Sequence, residues 1–355
     1  MMESTNNTTN YTLDVPLKCF YLDLSTGAFI SKLIGYSLLI LFSSIGNICI
    51  IILTIRTKQE RGAMDIFILN MAFSDLSVPF VIGPKSLYEV ATHTEGLWQL
   101  RGKAGDVLCK LTTFLVDISP IVSSLTLCCI TIERFLAIVR PQISLQSNKT
   151  KERMHFIMSA VTWIIAIGFC APYFKYFKLT EYDDVRADCE YSFDNEVAHR
   201  AYTITACILF IVLPTVLMAT MYTLAIITLK RSNKRMSISL TQVAKHQRSL
   251  RMRTVLKLSI AVVLGFFLCW GPWNVGVFLL TFSWGWSNTN TCAFKYYWFF
   301  ASFMSLLNAA TNPWTYLLLV ERFKRQLRKA FRLSVSRIIR FLPGRTGRCD
   351  IGGGQ

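Results

Sequence analysis

The chain has 355 residues, of which 52% are hydrophobic and only 17% are charged, so it is too apolar for an ordinary soluble domain. Its formal net charge of +17 would suit a nucleic-acid-binding protein if the charge were spread evenly, but the basic residues concentrate in a few segments between apolar runs. This distribution argues against a nucleic-acid partner and indicates a protein of the membrane.

Seven apolar runs of membrane-spanning length follow one another along the chain, since a helix needs about 20 apolar residues to cross a bilayer. They lie at about 33–55, 66–90, 108–139, 156–174, 201–229, 255–282 and 293–320. We predict an all-α fold, a bundle of seven transmembrane helices over residues 32–320. No internal repeat is visible, which argues against a transporter built from repeated halves.

Basic residues mark the cytoplasmic side of this bundle. The segments 56–61, 133–153, 230–257 and 321–355 hold 27 of the 38 Lys and Arg residues but only 5 of the 21 Asp and Glu residues. Because Lys and Arg accumulate in cytoplasmic loops, these segments face the cytoplasm. An odd number of spans then places the N-terminus outside. We predict a multi-pass protein of the plasma membrane with an extracellular tail over 1–31 and a cytoplasmic tail over 321–355.

The outer segments carry residues suited to two covalent modifications. Asn-x-Thr, the acceptor sequence for N-glycosylation, begins at Asn6, Asn7 and Asn10 of the extracellular tail. Four of the 11 cysteines also lie on the predicted oxidising side; they are Cys19, Cys109, Cys189 and Cys292. Four cysteines allow three pairings, and the spacing alone does not choose between them.

The segment after the last span predicts a short amphipathic helix. Its apolar residues recur every four positions, at Phe323, Leu327, Phe331, Val335 and Ile339, and basic residues fill the opposite face. Such a helix lies on the inner membrane surface, where anionic lipids attract its basic face. The Pro-Gly pair at 343–344 is expected to end it.

Polar residues and prolines interrupt the apolar spans, and such positions are functional candidates by default. In chain order they are Gly46-Asn47, Asp75, Glu133-Arg134-Phe135, Trp163, Pro172, Pro214, Tyr222, Phe266, Cys269-Trp270-Gly271-Pro272, Asn308 and Asn312-Pro313-Trp314-Thr315-Tyr316. Taken together and in this order, they resemble a rhodopsin-like (class A) G-protein-coupled receptor over about residues 32–333. The segment TIERFLAIVRP also resembles the peptide branch that includes the RFamide, neuropeptide Y and galanin receptors.

The resemblance implies a buried pocket for sodium and water in the middle of the membrane. Its residues would be Asp75, Ser123, Asn308 and Asn312, close to Trp270. A lone carboxylate at this depth needs a counter-ion, a proton or several hydrogen-bond donors. A protonated aspartate in a purely structural network is the alternative to an allosteric sodium ion at Asp75. No other cofactor is expected.

The resemblance also implies coupling to a heterotrimeric G protein by outward movement of the sixth helix. Arg134 resembles the arginine that engages the G protein, and Glu133 would hold it in the resting state by a charge-assisted hydrogen bond. The other switch candidates are Pro214, Tyr222, Phe266, Trp270, Pro272, Pro313 and Tyr316. Tyr316 is expected to swing toward Tyr222 when the helices rearrange. Ser124 departs from the family, which places a bulky aliphatic residue there.

Two disulfides and two cytoplasmic partners follow from the same resemblance. Cys109 would pair with Cys189 in the long outer loop, and a bridge between Cys19 and Cys292 would resemble that of chemokine-type receptors. Two free thiols are the alternative for the second pair. Hydroxyls that a receptor kinase could phosphorylate to recruit arrestin are Ser237, Ser239, Thr241, Ser334 and Ser336.

The residue at one position argues against an opsin, and the residue at another argues against an amine receptor. An opsin needs a lysine on span seven for its retinal, and the matching residue is Leu306. Amine receptors place an aspartate eighteen residues before the arginine of span three, and that residue is Val116. The neighbouring Asp117 does not substitute for it, because one residue turns a side chain by about 100° around a helix.

A basic peptide fits the outer surface better. The loop between Tyr173 and Arg200 carries seven acidic and four basic residues and is expected to form a hairpin around Cys189, as in many peptide receptors. An acidic vestibule would steer a basic peptide toward the bundle. From helix depth, the ligand pocket is expected to contain Glu89, Asp117, Tyr202, Trp270 and Tyr297.

Other classes of function remain as alternatives. A class A receptor for a lipid or small molecule is the nearest, and a membrane transporter is a more distant one. An enzyme is not expected, because the four histidines, at His93, His155, His199 and His246, show no metal-ligand spacing.

Overall fold

A computed structural model of the chain describes residues 26–56, 64–94, 98–139, 148–182, 187–191, 195–235, 242–284, 292–320, 323–329 and 332. Within 242–259 it describes the backbone alone. The glycosylation candidates Asn6, Asn7 and Asn10, the cysteine Cys19 and the phosphorylation candidates Ser237, Ser239, Thr241, Ser334 and Ser336 lie outside these ranges.

Seven long helices account for most of the residues that the structure describes. Helix α1 spans Thr26–Arg56, α3 Gly102–Val139, α4 Asn148–Cys170 and α7 Cys292–Leu319. Helix α2 consists of Asp65–Asp75, a π-helical turn at Val78–Ile82, and Gly83–Ala91. Helix α5 is built in the same way, from Glu196–Cys207, a π-helical turn at Ile208–Val212, and Leu213–Arg235. Helix α6 spans Gln242–Leu279 and ends in a π-helical turn at Leu280–Trp284. The predicted all-α fold with seven transmembrane helices is confirmed.

The most apolar stretch of helix α7 is less apolar than those of the other six helices. The other six are long and apolar enough to cross a membrane by length and composition alone. Helix α7 has 28 residues, which is also enough to cross, but Asn308, Asn312 and Pro313 lower its hydropathy. Such residues are tolerated in a membrane helix where they face the interior of the bundle, and both asparagines are buried.

The outer connection before α5 is shorter than the predicted loop from Tyr173 to Arg200. A helical turn occupies Tyr173–Tyr176, and α5 begins at Glu196. Its start is capped by Asn195, whose side-chain oxygen accepts the Val197 N–H at 2.8 Å. Arg200 therefore belongs to the helix, where it forms an ion pair with Glu196 one turn earlier, so the predicted loop boundary at Arg200 is wrong.

The expected hairpin is present in this connection. Strands β1, Phe177–Glu181, and β2, Ala187–Tyr191, pair antiparallel, with Leu179 opposite Cys189.

Polar side chains join neighbouring helices inside the bundle. On α1, the Asn47 side chain donates to the Ala309 carbonyl of α7 at 3.0 Å, and the Ser43 hydroxyl donates to the same carbonyl at 3.2 Å. Because lipid supplies no hydrophobic force between helices, such bonds and the close approach of small residues hold membrane helices together.

A second junction joins α2, α3 and α4 around Asn70. Its amide nitrogen donates to the Thr126 hydroxyl at 2.8 Å and the Thr162 hydroxyl at 3.2 Å. Its amide oxygen accepts the Trp163 indole N–H at 2.8 Å. Both ends of this buried amide are satisfied, so it fixes the three helices relative to one another.

The described part of the cytoplasmic tail supports the predicted amphipathic helix. Residues 323–329 are helical, with Phe323 fully buried in the core and Arg325, Arg328 and Lys329 exposed. The remaining predicted apolar positions, Phe331, Val335 and Ile339, lie outside the described residues.

Replacing Gly46 by alanine should destabilise the protein. The added Cβ would lie 2.7 Å from Pro313 Cγ and 3.2 Å from Trp314 Nε1. Because overpacking a core costs about 1–3 kcal/mol, we expect a loss of that size in the free energy of unfolding. Thermal unfolding of the purified protein in detergent measures it.

The matched control is Gly168→Ala in α4, where an added Cβ meets nothing within 4 Å. Alanine is the better helix former by about 1 kcal/mol, so this variant should be neutral or slightly stabilised. Equal unfolding temperatures for the two variants would contradict the close packing of α1 on α7.

Candidate functional site

A buried polar junction joins α2, α3 and α7 in the middle of the bundle; its residues are Asp75, Ser119, Ser123, Asn308 and Asn312. One carboxylate oxygen of Asp75 accepts the Asn312 amide N–H at 3.0 Å. The other lies 3.4 Å from both the Ser119 and the Ser123 hydroxyls, which donate to it. All five residues are nearly inaccessible to solvent, with at most 5% of their surface exposed.

Sequence reasoning missed one member of the polar junction. Ser119 lies one helical turn before Ser123 and on the same face of α3, so both hydroxyls reach Asp75. The four-residue spacing of Ser119 and Ser123 could have indicated from the sequence that both face Asp75. The structure brings the predicted residues Asp75, Ser123 and Asn312 together.

The amide oxygen of Asn308, within the junction, and the indole nitrogen of Trp270 on α6 are buried and have no hydrogen-bond partner among the described residues. A buried polar atom without a partner costs on the order of 1–3 kcal/mol, so such atoms need an explanation. The oxygen atoms of Asp75, Ser119, Ser123 and Asn308 form the kind of donor set that a hard cation prefers, so the residues fit a sodium ion.

The kink of α5 is tied to α3 by Ser124. Pro214 has no N–H to donate to the Phe210 carbonyl four residues earlier, and this carbonyl accepts the Ser124 hydroxyl at 2.8 Å. Ser124, which departs from the family pattern, thus supplies the hydrogen-bond donor that the Phe210 carbonyl lacks because of Pro214. Pro214 is buried, and Phe266 and Trp270 lie one turn apart on α6 with ring centroids separated by 6.5 Å.

The kink of α6 is tied to α7 by Tyr297. Its hydroxyl donates to the Pro272 carbonyl, and the Asn274 side chain donates to the Trp270 carbonyl at 2.8 Å. Tyr297 was predicted to contact the ligand, and the structure places its hydroxyl on the helix backbone at the kink. It therefore couples the outer part of α7 to the bend of α6.

The cytoplasmic end contains the candidate switch residues. The Arg134 guanidinium lies 3.1 Å from the neighbouring Glu133 carboxylate, and both side chains are partly buried. The Tyr222 hydroxyl accepts the Thr131 hydroxyl at 3.0 Å. The Tyr316 hydroxyl lies 3.6 Å from the Met71 sulfur of α2. Tyr316 thus lies against α2, and its swing toward Tyr222 stays a prediction.

The outer hairpin is fixed to α3 by a disulfide and by hydrogen bonds. Cys109 and Cys189 are bonded, with their Cα atoms 5.6 Å apart. Three hydrogen bonds reinforce this bridge: Leu179 N–H to the Asp106 carboxylate at 3.2 Å, Gly102 N–H to Glu181 at 2.9 Å and Trp98 N–H to the Ala187 carbonyl at 2.7 Å. The proposed partners Cys19 and Cys292 have no described side chains, so that second bridge stays a prediction.

Two of the predicted pocket residues meet between α3, α4 and α5. The Asp117 carboxylate accepts the Tyr173 hydroxyl at 2.6 Å. Tyr202 donates to the Phe169 carbonyl at 2.9 Å, and its ring lies 6.1 Å from the ring of Tyr173. Sequence reasoning did not assign Tyr173 to the pocket, because nothing in the spacing shows which helix face meets Asp117.

Glu89 lies elsewhere, at the outer end of α2. Its carboxylate forms an ion pair with Lys85 one turn earlier, and the Lys85 ammonium lies 5.5 Å from the ring of Trp98. A carboxylate already paired with a cation of its own helix attracts a ligand less strongly than an unpaired one.

Comparison with known proteins agrees with this architecture. The family model described as the 7 transmembrane receptor (rhodopsin family) matches residues 46–316. A QRFP-like peptide receptor from Branchiostoma floridae is 27% identical over 322 residues, covering 89% of this chain and 81% of that protein. The neuropeptide Y receptor type 1 of Xenopus laevis is 26% identical and covers 84% of this chain and 80% of its own length.

A chemokine receptor is similar to the same degree. The C-X-C chemokine receptor type 5 of Mus musculus is 26% identical over 303 residues, covering 83% of this chain and 74% of that protein. The family consists of receptors, which confirms that the chain is not an enzyme. The family match spans most of the chain and includes every candidate switch residue. The chain therefore belongs to the rhodopsin family of seven-transmembrane receptors.

Proposed function

We propose that this multi-pass membrane receptor resides in the plasma membrane with its N-terminus outside and that its ligand is a basic neuropeptide. The observation that carries the proposal is the two-stranded hairpin bonded to the outer end of α3, the form expected of a peptide receptor. Two of the relatives, a QRFP-like peptide receptor and a neuropeptide Y receptor, support the same ligand class.

The positions of acidic groups indicate where a basic peptide would bind. Asp106 and Glu89 at the outer rim are each paired with a lysine one turn away on the same helix. Asp117 lies deeper on α3, and no cation of the described residues contacts it. Rim charges mainly steer the encounter, whereas a buried charge contributes to the affinity itself. Asp117 is thus the better candidate for an anchoring contact.

The proposed output is activation of a heterotrimeric G protein through a population shift between two bundle arrangements. A peptide that binds better to the arrangement with α6 moved outward shifts the receptor toward it. Pro272 supplies the bend about which α6 moves, and Arg134 leaves Glu133 to engage the G protein. A receptor kinase and arrestin would act on the cytoplasmic hydroxyls, and membrane lipids would hold the basic face of the tail helix.

We also propose that the polar junction binds an allosteric sodium ion. Asp75, Ser119, Ser123 and the unpartnered Asn308 oxygen would hold it, and the ion would neutralise the buried carboxylate. Because the ion would occupy the space between α2, α3 and α7, it favours the arrangement in which these helices are close together. Helix movement during activation would then compete with the ion.

A screen of amidated basic peptides should identify an agonist. Cells that express the receptor should activate a G-protein reporter on peptide addition, while the Arg134→Ala variant should bind the same peptide and produce no signal. Ion flux recorded in the same cells should stay at the level of untransfected cells. Activation by lipids or small molecules but by no peptide would contradict the ligand class, and peptide-gated ion flux would contradict the receptor mechanism.

Sodium should stabilise the receptor, and Asp75→Asn should remove this effect. At a sodium concentration ten times the dissociation constant, linkage gives about 1.4 kcal/mol of added stability. Thermal unfolding of the purified receptor in sodium chloride and in choline chloride measures the difference. The control is Asp106→Asn, which removes an acid at the outer rim and should keep the full sodium effect. Equal sodium stabilisation of Asp75→Asn and the wild type would exclude the site.

A further inference from the structure

We infer that Asp117, together with Tyr173 and Tyr202, forms a subsite that binds a single cationic group of the ligand, between α3, α4 and α5. The inference deepens the proposed function, since it names the part of a basic peptide that would be recognised. We call these three residues and Phe169 the aspartate–tyrosine cluster.

The cluster is built from side chains of α3, α4, the turn that follows α4, and α5. Tyr173, in the turn after α4, donates its hydroxyl to one oxygen of the Asp117 carboxylate at 2.6 Å. From α5, Tyr202 stacks on Phe169 with ring centroids 4.7 Å apart, and its hydroxyl donates to the Phe169 carbonyl at 2.9 Å. Tyr173 therefore links the carboxylate to a group of aromatic rings that includes Tyr202 and Phe169.

The charge of Asp117 has no counterpart in the part of the chain that is described. The Tyr173 hydroxyl is its hydrogen-bond donor there, and no lysine, arginine or histidine forms an ion pair with it. Other acids at this end of the bundle have such partners, as Glu89 has Lys85 and Glu196 has Arg200. A carboxylate within a membrane helix is costly without a cation, so the position is suited to one supplied by a ligand.

The cluster lies toward the outer end of the bundle. Asp117 follows Cys109 by eight residues on α3, which places it about 12 Å below the disulfide. Its side chain is half-buried rather than fully enclosed. Above it, the ring of Phe177 in the hairpin lies 5.0 Å from the ring of Tyr173. The cluster is thus directly beneath the hairpin that covers this side of the bundle.

The orientation of Asp117 distinguishes this subsite from the aspartate of amine receptors. That aspartate corresponds to Val116, and the next residue points about 100° further around the helix. The hydrogen bond from Tyr173, which directly follows α4, shows that the Asp117 side chain points toward the α4 side of the bundle. A cationic group would therefore bind toward α4 and α5, with its charge on the carboxylate and its flanks against aromatic rings.

Tyr173 acts as a positioning residue in this subsite. Its hydroxyl holds one carboxylate oxygen, so the other oxygen is left for the ligand. Phenylalanine at position 173 would keep the ring packing against Phe177 and Tyr202 and release the carboxylate. Its effect on a cationic probe should be smaller than that of removing the charge, because one neutral hydrogen bond contributes less than an ion pair.

The test uses the purified full-length receptor and two probes of the same shape. Nα-acetyl-L-argininamide carries one positive charge, and Nα-acetyl-L-citrullinamide carries none. Thermal unfolding over a concentration series of each probe gives the dissociation constant from the stabilisation. We expect the arginine probe to stabilise the wild-type receptor and the citrulline probe to have no effect.

Three variants assign the effect to the cluster. Asp117→Asn should weaken binding of the arginine probe by at least about thirtyfold, as expected when one partner of a buried charge pair is lost. Tyr173→Phe should weaken it by roughly threefold to tenfold. Glu196→Gln, which removes an exposed acid at the outer end of α5, should leave it unchanged. The unfolding temperature of each variant without probe separates lost binding from lost stability.

Several results would overturn the subsite. They are equal stabilisation by the two probes, no stabilisation by either, and stabilisation of Asp117→Asn equal to that of the wild type. The peptide screen fails or succeeds independently of this measurement, since the probes report binding in the purified receptor without a G protein. A cation subsite without a peptide agonist would thus refute the proposed ligand class and retain the subsite.

Discussion

The absence of water from the bilayer core is the constraint on which the rest of this structure depends. A polar group inside the bundle needs a partner from the protein or from a bound ion or water, because lipid offers none. Asn47 meets the Ala309 carbonyl, Asn70 is bonded at both ends of its amide, and Asp75 receives donors from α3 and α7. The same bonds that satisfy these groups also fix the order and the rotation of the helices.

Proline imposes the same requirement on the backbone, and at Pro214 a side chain of a neighbouring helix meets it. Ser124 of α3 donates to the Phe210 carbonyl that Pro214 leaves without its usual donor, and at Pro272 the Tyr297 hydroxyl of α7 donates to the carbonyl of the proline itself. Each kink is therefore bonded to another helix. A movement of α5 or α6 at its kink must break or lengthen these contacts, and we therefore expect the bundle to have two distinct arrangements instead of a continuous range.

Sequence patterns predict the spans well, because the length of an apolar run follows from the thickness of the membrane. They also identify Asp75 and Asn312, since a carboxylate and an amide stand out among apolar residues. They do not identify Ser119 or Tyr173, or the pairing of Glu89 with Lys85, because such contacts depend on how each helix is rotated. The π-helical turns at Val78–Ile82 and Ile208–Val212 change that rotation partway along α2 and α5, and no simple residue pattern marks them.

The central claim is that the polar junction and the cytoplasmic end of α6 change together when the bundle passes between its two arrangements. The most direct measurement is the distance between spin labels at residue 139 of α3 and residue 251 of α6 in the purified receptor. We predict a single short distance in sodium chloride, and a second, longer one when a nucleotide-free G protein is added in choline chloride. One unchanged distance distribution under both conditions would contradict the coupling.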